Sequence, residues 1–272
     1  MQQQIIEALQ VKPSIVPKEE VKNRVGFLKD YLHASGMSGY VLGISGGQDS
    51  LLTGLLIQQA ITELNKEAGE ARYAFYAVRL PYGTQKDEAD AQEALSFIAP
   101  DRQITVNIKP AVDATIASFK EATGEEMTDF VKGNTKARER MKAQYDLGAH
   151  YRCLIAGTDH AAEAVTGFYT KFGDGACDVA PLFGLTKGQG RELLHFFGAP
   201  SLFYTKAPTA DLEDDQPQLP DEEALGITYR ELDMYLTGGT IDETAKRHLE
   251  TIYVKTMHKR ELPVTPFDSW WK

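Results

Sequence analysis

The sequence predicts a single doubly wound α/β domain, a parallel sheet with helices on both faces, and three observations carry the prediction. The runs "GYVLGI" (39–44), "YAFYAVRL" (73–80), "ITVNI" (104–108) and "CLIAGT" (153–158) are strand-like and mainly apolar. That is the look of strands buried on both faces. Helical patterns separate them, as right-handed crossovers between parallel strands require. Finally, corners at 45–50, 79–86 and 158–163 carry the polar and charged residues. They fall beyond the carboxyl ends of the strands, where ligands of such sheets bind.

The elements follow in order. "PKEEVKNRVGFLKDYLHASG" spaces Val21, Val25, Leu28 and Leu32 helically from Pro17, and Gly36 stops the helix. "GYVLGI" runs into a helix over 51–64, and "YAFYAVRL" leads to "KDEADAQEALSFIA". "ITVNI" precedes "PAVDATIASFKEAT"; a long polar-faced helix covers about 129–147, and "CLIAGT" enters "DHAAEAVTG". No internal repeat appears. The one compositional break is the acid- and proline-rich "APTADLEDDQPQLPDEEALG" (207–226), a solvated surface loop or a substrate lid. The tail holds adjacent Trp270 and Trp271. Such a pair is rarely left in water, so it docks on the core or on another subunit.

Length and composition narrow the function. The chain has 272 residues, 42% hydrophobic and 25% charged, ordinary for a globular protein with a sizeable core. Its 39 acidic and 29 basic residues leave a net charge of −10. That disfavours a nucleic-acid or anionic-membrane surface, so an anionic ligand must meet local cation clusters. No apolar run suits a bilayer, and "MQQQIIEALQ" has neither the basic start nor the apolar core of a signal peptide. Of two cysteines, Cys153 lies in an apolar run and Cys177 in a Gly/Asp loop. A reducing cytoplasm is expected.

The stretch "YVLGISGGQDSLLTGLLIQQA" (40–60) carries the chemistry. Gly46 and Gly47 permit positive φ and close approach of backbone amides to an anion, and a helix opening at Ser50 would add its N-terminal dipole. The order is neither G-x-x-x-x-G-K-[ST], since Asp49 stands where that motif has lysine, nor G-x-G-x-x-G. A carboxylate beside phosphates needs a divalent cation between them, so Asp49 predicts Mg²⁺. The plainer alternative is an N-cap, a job Ser50 does equally well.

"SGGQDS" resembles the SGGxDS signature of the PP-loop ATP pyrophosphatases. "AVRLPYGTQKDEADAQ", "DFVKGNTKARERMKAQY", "GTDHAAEAVTGFYTKFGDGACDVAPLFGLTK", "KAPTADLEDDQPQLPDEE" and "HKRELP" resemble bacterial ammonia-dependent NAD synthetase. The resemblance spans nearly the whole chain with no disrupted motif. It implies that Gly43, Ile44, Ser45, Gly46, Gly47, Gln48, Asp49 and Ser50 hold the ATP phosphates, with Arg79, Thr158, Lys187 and Thr209 as further ATP contacts. Asp49 and Glu163 become Mg²⁺ ligands, and Asp49 and Lys187 the catalytic pair. Arg138, Lys171, Asp178, His258 and Lys259 match contacts to deamido-NAD, and Phe130 and Phe168 are stacking surfaces for its aromatic ring. Spacing alone offers plainer roles: Asp159 an N-cap, Glu163 and Lys187 surface residues, the two phenylalanines core, and most of the basic helix a solvated face. His160 has no settled role.

The implied reaction adenylates the nicotinate carboxylate with ATP, releases pyrophosphate, and lets ammonia displace AMP. The α/β pattern begins by Tyr40, leaving no room for a glutaminase domain, so free or delivered ammonia is expected. A homodimer sharing each dinucleotide site and a lid over about 205–223 are expected too. A GMP-synthetase-like or tRNA-thiolating PP-loop enzyme is the nearest alternative, and the second would want a basic surface. A non-catalytic nucleotide-binding module is the other, and paired carboxylates at Asp49 and Glu163 argue against it.

Overall fold

In the computed structural model, four parallel strands stand in the order β3-β2-β1-β4 among the described residues, which are 1–83, 88–205, 209–210, 219–261 and 263–271, with backbone alone at 209, 210 and 219. The first half of the chain runs α1 (Gln2–Ala8), α2 (Pro17–Ser35), β1 (Gly39–Gly43), α3 (Gln48–Ala68), β2 (Ala74–Arg79), α4 (Glu88–Ile98), β3 (Arg102–Thr105), α5 (Lys109–Thr123) and α6 (Asp129–Tyr151). Then β4 (Leu154–Ile155) pairs on the other side of β1, Tyr40 opposite Leu154, while Gly39 to Gly43 lie opposite Ala74 to Val78. The strand order therefore reverses beside β1. Loops leaving the carboxyl ends of β1 and β4 diverge there and leave a crevice.

Alternation along β1 divides the core. Tyr40 and Leu42 pack with Leu28, Leu32, Leu51 and Leu56 from α2 and α3, and Val41 faces Val78, Val112 and Ile155 on the side of α5 and α6. Period-two alternation puts these sets on opposite faces. Beyond β4 the chain continues with α7 (Ala161–Thr166), α8 (Lys187–Phe196), α9 (Leu202–Thr205), the two-stranded β5 (Thr209–Ala210) and β6 (Leu219–Pro220), α10 (Asp221–Leu225), α11 (Tyr229–Leu236), α12 (Glu243–Lys255) and α13 (Met257–Arg260). Ile5, Leu9, Val165, Leu232, Tyr235 and Leu249 form a separate cluster tying α1, α7, α11 and α12 together. The sequence reading placed neither α1 nor the helices after α8.

Several boundaries differ from expectation for identifiable reasons. Pro17 does open α2, and Gly36 ends it at φ +66°. "ITVNI" is not a buried strand, since β3 covers 102–105 at the sheet edge and is mostly exposed. Ile104, Val106 and Ile108 alternate, and all three pack on one face. β4 is only two residues long, although Ala156 bridges onward to Val179. Helix α3 starts at Gln48, with Gly47 as N-cap, so Ser50 is inside the helix and caps nothing.

Candidate active site

The crevice is walled first by the loop after β1. Gly46 has φ +88°, and a Cβ there would lie 2.7 Å from the Ala91 amide nitrogen. The missing side chain at Gly46 serves the close packing of α4 onto the loop. Gly47 is different: it is exposed, and a Cβ would meet only the Ser45 Oγ, at 3.4 Å. Among the described residues the amides of Gly46 and Gln48 donate to no protein group, and they lie at the start of the 21-residue α3. Unspent amides at a helix N-terminus suit phosphate oxygens. The Ser50 Oγ lies 3.1 Å from the Ser45 Oγ and donates to the Gly47 carbonyl. Gln144 of α6 accepts from the Gly43 amide at 2.7 Å. Arg79, 3% exposed, donates to the Ile44 carbonyl at 2.6 Å and pairs with Glu88. Its charge is thus already spent on holding the loop.

Asp49 lies in the first turn of α3 and its carboxylate is the centre of the crevice. Lys187 donates to the Asp49 Oδ2 at 2.7 Å from the first turn of α8. The His160 Nε2 lies 3.7 Å from the Asp49 Oδ1, 3.6 Å from the Glu163 Oε1 and 3.5 Å from the Lys187 Nζ. One ligand atom each from Asp49, His160 and Glu163 falls within 4.8 Å of the others. Two carboxylate oxygens and an imidazole at that spacing fit a divalent cation. No other group of three or more such side chains occurs among the described residues.

Burial and mutual charge set the protonation here. Burial alone would lower the Lys187 ammonium, but Asp49 and Glu163 more than offset it and raise its pKa. Burial pushes the Asp49 carboxyl up, but Lys187 and His160 hold it below the ordinary range. Glu163 goes the other way, raised by burial and then by the Asp49 and Asp159 charges. Burial lowers His160 to about 4, so it is neutral at pH 7 and its buried Nδ1 has no partner among the described residues. Neighbouring Asp159 is pushed up to about 7 by burial and by Asp174 and Asp49.

Helix α8 carries Lys187 in a fixed place. Thr186 and Gln189 make a capping box, and Asp233 of α11 accepts from the Lys187 and Gly188 amides at 3.1 and 2.7 Å. The Gln48 side chain donates to the Lys187 carbonyl at 3.0 Å. These bonds consume the first amides of α8, leaving the lysine side chain, not the helix end, to meet an anion. Thr158 is half-buried just beyond β4. The Thr209 backbone pairs with Pro220, but its side chain lies outside the described residues, as do 206–208 and 211–218 of the expected lid and the corner at 84–87.

A second group forms around the turn after α7. Arg138 of α6 donates to the Lys171 carbonyl at 3.5 Å, and the Lys171 ammonium donates to the His258 carbonyl. Lys259 donates to the Gly167 and Tyr169 carbonyls at 2.7 and 2.6 Å. Phe168, on the turn between them, is half-buried, and Phe130 at the start of α6 is 67% exposed. Asp178 accepts from the Ile155 amide at 2.7 Å. One chain thus brings Arg138, Lys171 and His258 together. The tail expectation is narrowed: Phe267 is 96% and Trp271 58% exposed, so Trp271 does not dock in the core of its own chain.

The NAD synthase family profile matches residues 20–263. The chain belongs to the NAD synthase family. It is 67% identical to an NH(3)-dependent NAD(+) synthetase of Halalkalibacterium halodurans over the full length of both chains. Among solved structures it is similar to the NAD+ synthetase of Burkholderia pseudomallei, at 44% identity and a TM-score of 0.83, covering 96% of each chain. An NMN synthetase from Francisella tularensis is 32% identical with a TM-score of 0.81, over 94% of this chain and all of that one.

Family membership directs attention to groups the sequence reading passed over. Asp221, Tyr229 and Asp233 all converge on Lys187, and Gln144 reaches the β1 loop from α6. The "TYRE" at 228–231 did signal a helix start, and the structure makes it a capping box. Nothing local signalled which helix that start would face.

Proposed function

We propose that this protein is an ammonia-dependent NAD+ synthetase, catalysing the last step of NAD biosynthesis in the cytoplasm. The observation that carries the reading is the Asp49–His160–Glu163–Lys187 cluster beside the unspent amides of the β1 loop. Deamido-NAD offers its nicotinate carboxylate, whose oxygen attacks the α-phosphorus of ATP as the bond to the β-phosphate breaks and pyrophosphate leaves. Ammonia then attacks the acyl carbon of the mixed anhydride, AMP departs and a proton is lost. A free carboxylate is a poor acyl donor, and adenylation supplies the leaving group.

The residues have separable tasks. Loop amides at Gly46 and Gln48 bind phosphate oxygens, and Ser45, Ser50 and Thr158 line their approach. Lys187, cationic and fixed by α8, stabilises charge building on the phosphoryl group. Arg79 and Gln144 orient the loop. Asp49 and Glu163 would hold Mg²⁺, which supplies positive charge to the phosphates when bound. On the other side Arg138, Lys171, Asp178, His258, Phe130 and Phe168 form the dinucleotide surface, with Lys259 shaping the turn beneath it. The segment over about 205–223, Thr209 included, would close over ATP and exclude water. Exposed Phe130, Phe267 and Trp271 support a homodimer in which a second copy covers them.

The test supplies purified protein with ATP, Mg²⁺, ammonia and either deamido-NAD or nicotinate mononucleotide, and follows AMP and the amidated product by chromatography. NAD+ formed in step with AMP is the expected result. Amidation of the mononucleotide alone would overturn the substrate assignment, and AMP formation without either acceptor would overturn the ligase reading.

A further inference from the structure

Asp221, the first residue of α10, is 8% exposed. Its Oδ2 accepts from the Tyr229 hydroxyl at 2.8 Å, while its buried Oδ1 has no partner among the described residues. A half-satisfied buried carboxylate is costly and calls for an explanation. Tyr229 supplies the direction. The Lys187 ammonium lies 5.0 Å from the centroid of the same ring whose hydroxyl touches Asp221. One tyrosine thus separates the cation from the unpaired oxygen, and the two charges already interact.

The cation sits on Asp49, the carboxylate read above as a metal ligand. Lys187 holds the Oδ2 while the Oδ1 faces His160. An ammonium and a divalent ion on one carboxylate repel each other in a poorly solvated crevice, so metal binding favours a lysine that has moved off. Lys187 is 3% exposed, so escape to water is closed, and its long stem permits movement only to another internal acceptor. We propose that Asp221 is a positioning residue: it receives the Lys187 ammonium across the face of Tyr229 when a divalent cation takes that ammonium's place on Asp49. The lysine then stays charged and inside the crevice, where the phosphates of ATP lie. Asp221 follows directly on Pro220, the residue paired with Thr209, so the β5–β6 hairpin sets where the receiving carboxylate stands.

The inference rests on the metal reading of Asp49, and the experiment separates the two. Mn²⁺ binding to the full chain without ATP is measured by electron paramagnetic resonance for the wild type, Asp221→Asn, Lys187→Ala and the double variant. Lys187→Ala should tighten Mn²⁺ binding and Asp221→Asn weaken it about tenfold, whereas in the Lys187→Ala background Asp221→Asn should change it less than about twofold. Equal weakening in both backgrounds would mean that Asp221 acts on the metal by its own charge, and no weakening in either that it receives nothing. Both overturn the proposal. Unchanged Mn²⁺ binding in Asp49→Asn would instead sink the metal site itself. Should Asp221→Asn not fold, Tyr229→Phe takes its place in the same cycle. It keeps the ring, releases Asp221, and should weaken binding only while Lys187 is present.

Discussion

At the carboxyl ends of β1 and β4 the charged side chains meet one another: Lys187 on Asp49, with His160 between Asp49 and Glu163. Around the turn after α7, the cations meet backbone instead. Lys171 and Lys259 are bonded to carbonyls, and Arg138 reaches one too. The first arrangement stores electrostatic tension, with some carboxyls pulled down and others pushed up before any substrate arrives. The second shapes a surface and leaves aromatic rings on it. On the proposed function, charge development belongs to the phosphoryl end and shape recognition to the dinucleotide end. Substitutions at the first should therefore change kcat, and at the second KM or stability.

The sharpest break is Asp49→Asn, which keeps the shape and removes the ligand charge. Turnover should fall by roughly 10³ or more with the far-UV circular dichroism unchanged. Wild-type activity with an unaltered Mg²⁺ requirement would exclude Asp49 as a ligand. Lys187→Ala should lower kcat by roughly 10²–10³, as for loss of one preorganised charge. A rise in KM alone would move Lys187 to the binding side of the comparison.

Protons offer the next test. Burial and neighbouring carboxylates push Asp159 up to about 7 and raise Glu163 as well. Below pH 7 Asp159 holds a proton whose release adds negative charge beside the site, so metal affinity should climb from pH 6 to 8. The rise is up to about tenfold per pH unit for each proton released. The stability sign is opposite in metal-free protein. A carboxyl raised above its unfolded value favours folding at low pH, and stability falls as pH rises through 7. Calorimetric titration in buffers of different ionisation enthalpy counts the protons, and a count of zero removes the coupling.

Lys259→Met gives a smaller effect of another kind. It frees the Gly167 and Tyr169 carbonyls and should cost about 1–3 kcal/mol of stability, read from denaturant melts. KM for the dinucleotide should rise while KM for ATP stays put. Equal changes in both would mean that the two ends are not separable. Phe130→Ala should do least, a few-fold rise in dinucleotide KM or in dimer dissociation, because a ring this exposed loses little packing.

The legible part of the site was the contiguous part. "SGGQDS" carries the loop and Asp49 in one run, and Thr158 to Glu163 brings a strand end and a helix start together within a few residues. The parallel sheet was readable from apolar runs, except at β3, where an alternating edge strand was read as a buried one. Asp221, Asp233 and Gln144 were not readable, because each acts on a partner far along the chain. The glycines show the same limit. Gly46 and Gly47 look alike in sequence, yet only the fold reveals that a side chain at the first would collide with α4 and one at the second would meet open space.

Helix α6 spans both ends of the site. Phe130 and Arg138 stand toward its start, and Gln144 further on holds the Gly43 amide. A helix advances 1.5 Å and turns 100° per residue, so about 9 Å of axis separates Arg138 from Gln144. On the proposed function, that stretch is a ruler between the ATP end and the dinucleotide end. Its surface residues can vary freely, but its length cannot. One residue inserted between positions 138 and 144 would swing Arg138 about 100° around the axis relative to the loop, and two intact half-sites would no longer face the same bond.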